Sequence, residues 1–342
     1  MSLVACPIDL TRYEEMLGHF GESASLYHGM AWLESVRQGF GVAVWGLLVE
    51  SPSGEPLALM PVIEVGKGPF RLRGSPLRGV YTEFAGPLFS PIIAESMLGD
   101  VLSALHGGMR GGRVIYLEWG LTGETTSGAQ ASVLRGLGYA YAPHATLVLD
   151  LEQGKERVWA AFESRARNMV RKAQKRGVCV RPFVPGSEDM LSYYSMLVET
   201  FRCQGKEAPH PLSFFQAMCR LLTADGELRL YLAEKEGRVV AGAIFLHDRH
   251  RMVYLSGTSN EEGAELAANS LVQWVAIQEA VETGIRLYDL GGVGNERIDR
   301  FKASFGGQQF IHHRWVYRSW PVKLAESAYI WLAGKGLGRL HG

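Results

Sequence analysis

The sequence predicts an α/β (α+β) fold built from two tandem copies of one unit, each a mixed sheet flanked by helices. Three observations predict it. The chain has 342 residues, more than one hydrophobic core usually organises. The stretches VWGLLVESPSGEPLALMPVIEV (44–65) and LRLYLAEKEGRVVAGAIFLHD (228–248) each run from an apolar segment through a polar turn with Gly54 or Gly237 into a second apolar segment. That is the pattern of a β-hairpin. Later in each half a short apolar strand carries an aromatic and an acid near its end: GRVIYLEWG (112–120) and GIRLYDLGG (284–292). Matched features in the same order point to a repeated unit.

The helices follow from periodicity. Residues 263–284 place Ala267, Leu271, Trp274, Ile277 and Val281 close to one helical face, and Gly284 stands where a C′ glycine ends a helix. With RMVYLSGTSN before it and IRLYDLGG after it, this helix reads as the crossover between two parallel strands. Residues 154–178 read as a second helix with Val158, Ala161, Phe162, Met169 and Ala173 on its inner side, entered from the strand ATLVLDL (145–151). Further strands are expected at VCVRPF and QFIHHRWVYR. Pro143 lies in the passage between the halves, which divides the chain into domains at 1–144 and 145–318 and an amphipathic tail at 319–342. The tail, with Lys323, Lys335 and Arg339 among aromatics, reads as a helix packed on protein or lying on a membrane surface.

Charge and cysteine usage exclude several classes. With 35 basic and 35 acidic residues there is no global field to hold DNA, so attraction to a polyanion must come from a local patch. Cys6, Cys179, Cys203 and Cys219 show neither a CxxC pair nor regular spacing and are expected to be reduced and mostly buried. No basic segment followed by an apolar run opens the chain, and no run of about 18 apolar residues occurs, so the expected setting is the cytoplasm or the inner face of its membrane.

Two constellations can carry chemistry. Residues 155–181 hold nine Lys or Arg, with Arg165, Asn168, Lys172 and Lys175 on one helical side. This is either a seat for a diphosphate or an RNA backbone, or a solvated helix face. The stretch YDLGGVGNERIDRFKASFGG (288–307) lacks the GK[ST] of a phosphate loop and the third glycine of a dinucleotide fingerprint. Its glycines allow an open turn after a strand bearing Asp289, followed by a helix bearing Arg297, Arg300 and Lys302. A carboxylate facing cations could orient an amine, directly or through water, while a lysine stabilises an oxyanion. The alternative is a capping Asp and surface cations. His247, His250, His312 and His313 lack a nearby third ligand, and no metal site is expected.

The segments ESRARNMVRKAQKRGV, YLSGTSN, LAANSLVQWVAIQEAVETGIRLYDLGGV and RFKASFGG resemble, in that order, the signature segments of the FemAB-like acyltransferases, which include the peptidoglycan bridge-forming aminoacyltransferases. The resemblance implies two GNAT (N-acetyltransferase-like) domains and an amide-forming reaction in which an amine attacks an activated acyl carbonyl. It implies Lys302 as the acyl-transfer lysine beside Phe301; Asp289, by its own place at the strand end, would orient or deprotonate the amine, directly or through water. Arg165, Asn168, Arg171 and Lys172 would bind phosphate. The backbone around Tyr254 and Ser256 would align the carbonyl, and Asn269 and Arg300 would complete the substrate site. The chain departs from ordinary acetyl-CoA enzymes because NEEGAELAANS stands where a QxxGxG/A loop would be, and it shows no long heptad insertion. No tightly bound cofactor is expected. The donor is either aminoacyl-tRNA or acyl-CoA, and the acceptor a phosphate-bearing precursor of the envelope or of an exopolysaccharide. The alternatives are a CoA-dependent N-acetyltransferase acting on an amino sugar or other small amine, and a non-catalytic member of an envelope-assembly complex.

Overall fold

The computed structural model describes residues 3–320, apart from 22, 122–127 and 225, together with 322. The expectation for the tail at 319–342 therefore falls almost wholly outside the described residues. The first half runs β1 (Ala5–Ile8), α1 (Leu10–Leu17), α2 (Met30–Phe40), β2 (Ala43–Glu50), β3 (Pro56–Lys67), β4 (Phe70–Ser75), β5 (Leu88–Phe89), α3 (Leu98–Met109), β6 (Val114–Leu121), α4 (Gly128–Gly136) and β7 (Ala140–Tyr141). The second runs β8 (His144–Asp150), α5 (Lys155–Ala161), α6 (Ser164–Lys175), β9 (Cys179–Pro182), α7 (Asp189–Arg202), α8 (Leu212–Ala224), β10 (Leu228–Lys235), β11 (Arg238–His247), β12 (Arg251–Ser259), α9 (Glu261–Glu265), α10 (Ala268–Glu282), β13 (Leu287–Gly292), α11 (Glu296–Ala303) and β14 (Gln308–Arg318).

Both expected hairpins form, β2–β3 and β10–β11. Glu236 and Gly237 turn the second with φ of 52° and 75°, the consecutive positive values of a tight hairpin turn. The strands join one mixed sheet in the order β1-β2-β3-β4-β6-β14-β8-β13-β12-β11-β10-β9, with β5 and β7 at its margins. Its pairs are antiparallel except two, β4 with β6 and β12 with β13, which the α3 and α10 crossovers connect. Each half therefore presents the same sequence of pairings.

The halves are joined through one strand of the second half. β14, the last element of the second half, pairs through His313–Arg318 with β6 of the first half. Its earlier residues, Gln308–His312, pair with β8, and β8 in turn pairs with β13. The helices reinforce the junction: α1, α2, α7 and α8 share one apolar core that draws Trp32, Tyr27, Phe214 and Tyr193 from both halves. Gly39 of α2 lies so close to α8 that a Cβ there would stand 2.4 Å from Phe214 Cα. Two further cores lie under α3 and α4 and under α5, α6 and α10.

Three sequence expectations are corrected. The basic helix is two helices, because Phe162 between α5 and α6 is extended (ψ 142°). The break lets Phe162 meet Trp274 and Phe305 edge-on while Trp159 packs on Trp274, and it leaves Ala161 exposed. The crossover helix begins at Ala268, since Ala267 adopts the left-handed conformation (φ 58°). Of the four free cysteines only Cys219 is buried: Cys6 and Cys179 lie on the two outermost strands, β1 and β9, and Cys203 caps α7. No described helix is long and apolar enough to cross a membrane.

Candidate active site

β12 and β13 run parallel only over Arg251–Val253 and Leu287–Asp289. Beyond that point β12 follows β11 as far as Ser259, while β13 follows β8, with Gly292 opposite Thr146. Leu255 has no partner, since Tyr254 pairs with Phe245 and Ser256 with Ile244. A bulge of this kind bends a strand and frees its backbone groups. The parting strands open a cleft of about 1030 Å³. Tyr254, Gly257 and Thr258 form its β12 wall, Asn269 and Ser270 its α10 wall, Phe301 part of its α11 wall, and Arg165, Arg297 and Arg300 its cationic rim. Gly257 is required here, because a Cβ would stand 2.2 Å from the Tyr254 hydroxyl oxygen. Asn269 Oδ1, in the first turn of α10, is buried and has no hydrogen-bond partner among the described residues, so it is an acceptor open to an N–H or O–H donor, while the helix N-terminus itself favours an anion.

Beside the cleft lies Lys302. Its side chain is buried, and Nζ donates to the Gly292 carbonyl oxygen at 2.7 Å and lies 5.9 Å from the centre of the Tyr254 ring. Burial pushes the lysine pKa down, and the negative charges of Glu83, Asp289 and Asp299 oppose that push without cancelling it. Gly291, with φ 77°, lets the strand pass: a Cβ there would be 3.0 Å from Tyr254 O and 3.4 Å from Lys302 Nζ.

Asp289 is wholly buried. Its Oδ1 accepts from the Gly291 N–H at 2.8 Å and its Oδ2 from Thr146 Oγ1 at 3.2 Å and Arg251 Nη1 at 3.4 Å, with His312 Nε2 at 3.8 Å. Arg251 lies over the rings of Phe84 and Phe310, and His312 stacks on Phe84. Burial lowers the His312 pKa, aided by Arg251 and His144, while Asp289 works against it.

A second acid-histidine pair stands at the same junction. His144 Nε2 and Glu83 Oε2 are 2.8 Å apart. Burial raises the Glu83 pKa, but the bond to His144 and the charges of His144, Arg314 and Lys302 outweigh it and hold the carboxyl below its usual range. Arg314 also donates to the Glu83 carbonyl and lies 3.5 Å from Glu118. Gly292 admits the histidine, since a Cβ there would meet His144 Cε1 at 2.6 Å.

The structure brings together Arg165, Tyr254, Asn269, Arg300 and Phe301 around the cleft; Lys302 and Asp289 are buried and do not line it, Lys302 Nζ lying 5.9 Å from the centre of the Tyr254 ring that does. Asn168, Arg171 and Lys172 are exposed on α6 but do not line the cleft; Arg171 lies over the Trp159 ring instead. Ser256 is buried and its hydroxyl is taken by Tyr193 at 2.8 Å. Sequence reasoning missed Glu83, His144, Thr146, Arg251 and His312. They come from three strands and a loop, and no local spacing unites them. The one signal available was HATLVLD, where a histidine and a threonine open a strand with His144 and Thr146 on the same side.

Residues 160–303 match the family model described as the Acetyltransferase (GNAT) domain. A curated relative, the UDP-N-acetylmuramoylpentapeptide-lysine N(6)-alanyltransferase of Weissella viridescens, is 26% identical over 168 residues, covering 48% of this chain and 48% of that protein. The chain thus matches about half the length of that relative. Among solved structures, that of FemX superposes with a TM-score of 0.72 at 15% identity, over 92% of this chain and 98% of the other. A tandem GNAT protein from the clavulanic acid biosynthesis pathway gives 0.61 at 13% identity, over 92% and 98%. At these identities the structural matches speak to the fold. The chain carries an acyltransferase domain of the GNAT class. Its likeness to the alanyltransferase and to FemX agrees with the FemAB-like resemblance of its sequence.

Proposed function

We propose that the chain is an N-acyltransferase of FemAB type, passing an aminoacyl or acyl group to an amine of a phosphate-bearing envelope precursor. One observation carries the reading: a buried ammonium, Lys302, lies beside the bulged strand Tyr254–Gly257 where β12 and β13 part. In this reading the acyl carbonyl is aligned by freed backbone groups of β12, and Lys302 stabilises the oxyanion that forms as the amine attacks. Asp289, buried with both oxygens engaged, reaches no substrate directly. It is a positioning residue that fixes the Gly291 turn beside Lys302. Arg165, Arg297 and Arg300 at the rim, with the first turn of α10, are the phosphate contacts.

The test is transfer itself. The protein is mixed with alanyl-tRNA or acetyl-CoA and the lysine-containing UDP-N-acetylmuramoylpentapeptide, and the amide product is detected by mass. Product with either donor supports the class, and the preferred donor decides between its two forms. No product with either donor or with amino-sugar acceptors overturns it. The Asn269 carbonyl oxygen, without a partner among the described residues, can accept from an N–H or O–H of an acyl donor in that cleft, which keeps the CoA-dependent reading, with its amide-bearing arm, as the second. Saturable acetyl-CoA binding by calorimetry would select it.

A further inference from the structure

An amine attacking an acyl group must lose a proton as the C–N bond forms, and Lys302, a cation already holding a carbonyl, cannot take it. The acid-base groups at the junction of the halves differ in their access to solvent. The Asp289 side chain is 1% exposed and the His312 side chain 11%, whereas His144 is 25% and Glu83 18% exposed. Asp289 is also saturated by three donors.

We propose that the His144–Glu83 pair is the proton acceptor for the incoming amine, with Glu83 orienting the ring and His144 Nδ1 taking the proton. The geometry is that of a histidine base held by a carboxylate: Nε2–H donates to Glu83 Oε2 at 2.8 Å, and among the described residues Nδ1 has no hydrogen-bond partner. The pair lies on the same peptide as the oxyanion lysine. The His144 ring packs against Gly292 Cα, and Lys302 Nζ holds the Gly292 carbonyl.

The inference rests on the acyl-transfer reading above. In the step, the neutral amine nitrogen adds to the acyl carbon, and His144 Nδ1 accepts one amine proton. Collapse breaks the bond to the leaving sulfur or oxygen, and the proton on His144 passes to that atom. Amine and acyl donor thus become amide and protonated leaving group, with nothing else consumed. The charged and titratable groups that face the pair are Lys302 of α11, His312 and Arg314 of β14, and Tyr27 and Tyr81 from the segments before α2 and β5.

The experiment measures kcat/KM for UDP-N-acetylmuramoylpentapeptide against pH, with alanyl-tRNA or acetyl-CoA saturating, in the wild type, His144→Gln and Glu83→Gln. Wild type should show one ionisation on the acid side. His144→Gln should remove that ionisation and lower neutral-pH turnover by about 10²-fold or more, the range of a lost general base. Glu83→Gln should keep the ionisation but lower neutral-pH turnover, because the carboxylate that orients the ring is gone. Donor binding by both variants, measured separately, should match wild type and so report a folded protein. If His144→Gln binds donor and keeps the wild-type profile, the proton acceptor is elsewhere while the acyl-transfer reading stands. If the wild type forms no amide at any pH, both fall together.

Discussion

Lys302 and Gly292 are joined by a hydrogen bond of 2.7 Å from Nζ to the carbonyl oxygen, across the turn that ends β13. A buried lysine spending one of its protons on a backbone carbonyl keeps the others for a second acceptor. Replacing Lys302 by Ala should therefore lower kcat by about 10²-fold or more, with a smaller change in KM, as loss of an oxyanion donor does. Folding should survive, because burial already disfavours the ammonium and its removal relieves that cost. Steady-state kinetics beside a thermal melt tests both parts; wild-type kcat in the variant would remove Lys302 from the chemistry.

Arg251 and Asp289 form a second buried pair at 3.4 Å, with side-chain exposures of 15% and 1%. Arg251→Met would leave the carboxylate with only Thr146, Gly291 and a half-satisfied histidine. Breaking one side of such a pair costs about 3–5 kcal/mol. Adding Asp289→Asn should restore part of the loss, since the remaining group is then uncharged. Denaturant unfolding of the single and double variants measures the coupling, and additive losses would show that the two do not depend on each other.

The fold was legible because its signals are local. The hairpins declared themselves through Gly54 and Gly237, the crossover helix through its apolar spacing and Gly284, and the acidic strands through their repetition. The same locality explains what was missed. His312 read as one of two adjacent histidines without a third ligand, yet the pairing of β8 with β13 and β14 sets Thr146 within hydrogen-bonding range of both Asp289 and His312. Glu83, more than 60 residues from its partner, carried no signal of its own. The break at Phe162 was hidden for a different reason. Phe162 fits a helical apolar stripe, and only its packing on Trp274 and Phe305 favours the extended backbone.

His28 should contribute to acid sensitivity of the fold. It is fully buried, its Nε2–H donates to Gly86 O at 3.1 Å, and its Nδ1 accepts from the Ser25 N–H at 3.1 Å. Burial lowers its pKa from 6.5 to about 4, outweighing the backbone bonds to Gly86 and Ser25. Between those values the unfolded chain binds the proton and the folded one does not, so stability falls as pH drops through this window. The loss amounts to roughly 3 kcal/mol by pH 4. His28→Gln should flatten that part of the stability-pH curve while starting from a lower stability at pH 7. Urea unfolding at pH 7, 5.5 and 4.5 reads the difference, and parallel curves would show that His28 does not supply the acid sensitivity.

Asn269 separates binding from stability. Its Oδ1 is buried at the cleft wall with no partner, a state that costs the free protein energy. An N–H or O–H of the acyl donor can satisfy that oxygen when the cleft is filled. Asn269→Ala should therefore melt no lower than wild type, and α10 should gain slightly from the better helix former. Acetyl-CoA or alanyl-tRNA, whichever the wild type binds, should bind the variant about tenfold more weakly, the worth of one hydrogen bond made in a desolvated site. Calorimetric titration and thermal melts on the same samples decide it. Unchanged affinity with a lowered melting point would make Asn269 a structural residue and move donor recognition to the arginine rim alone.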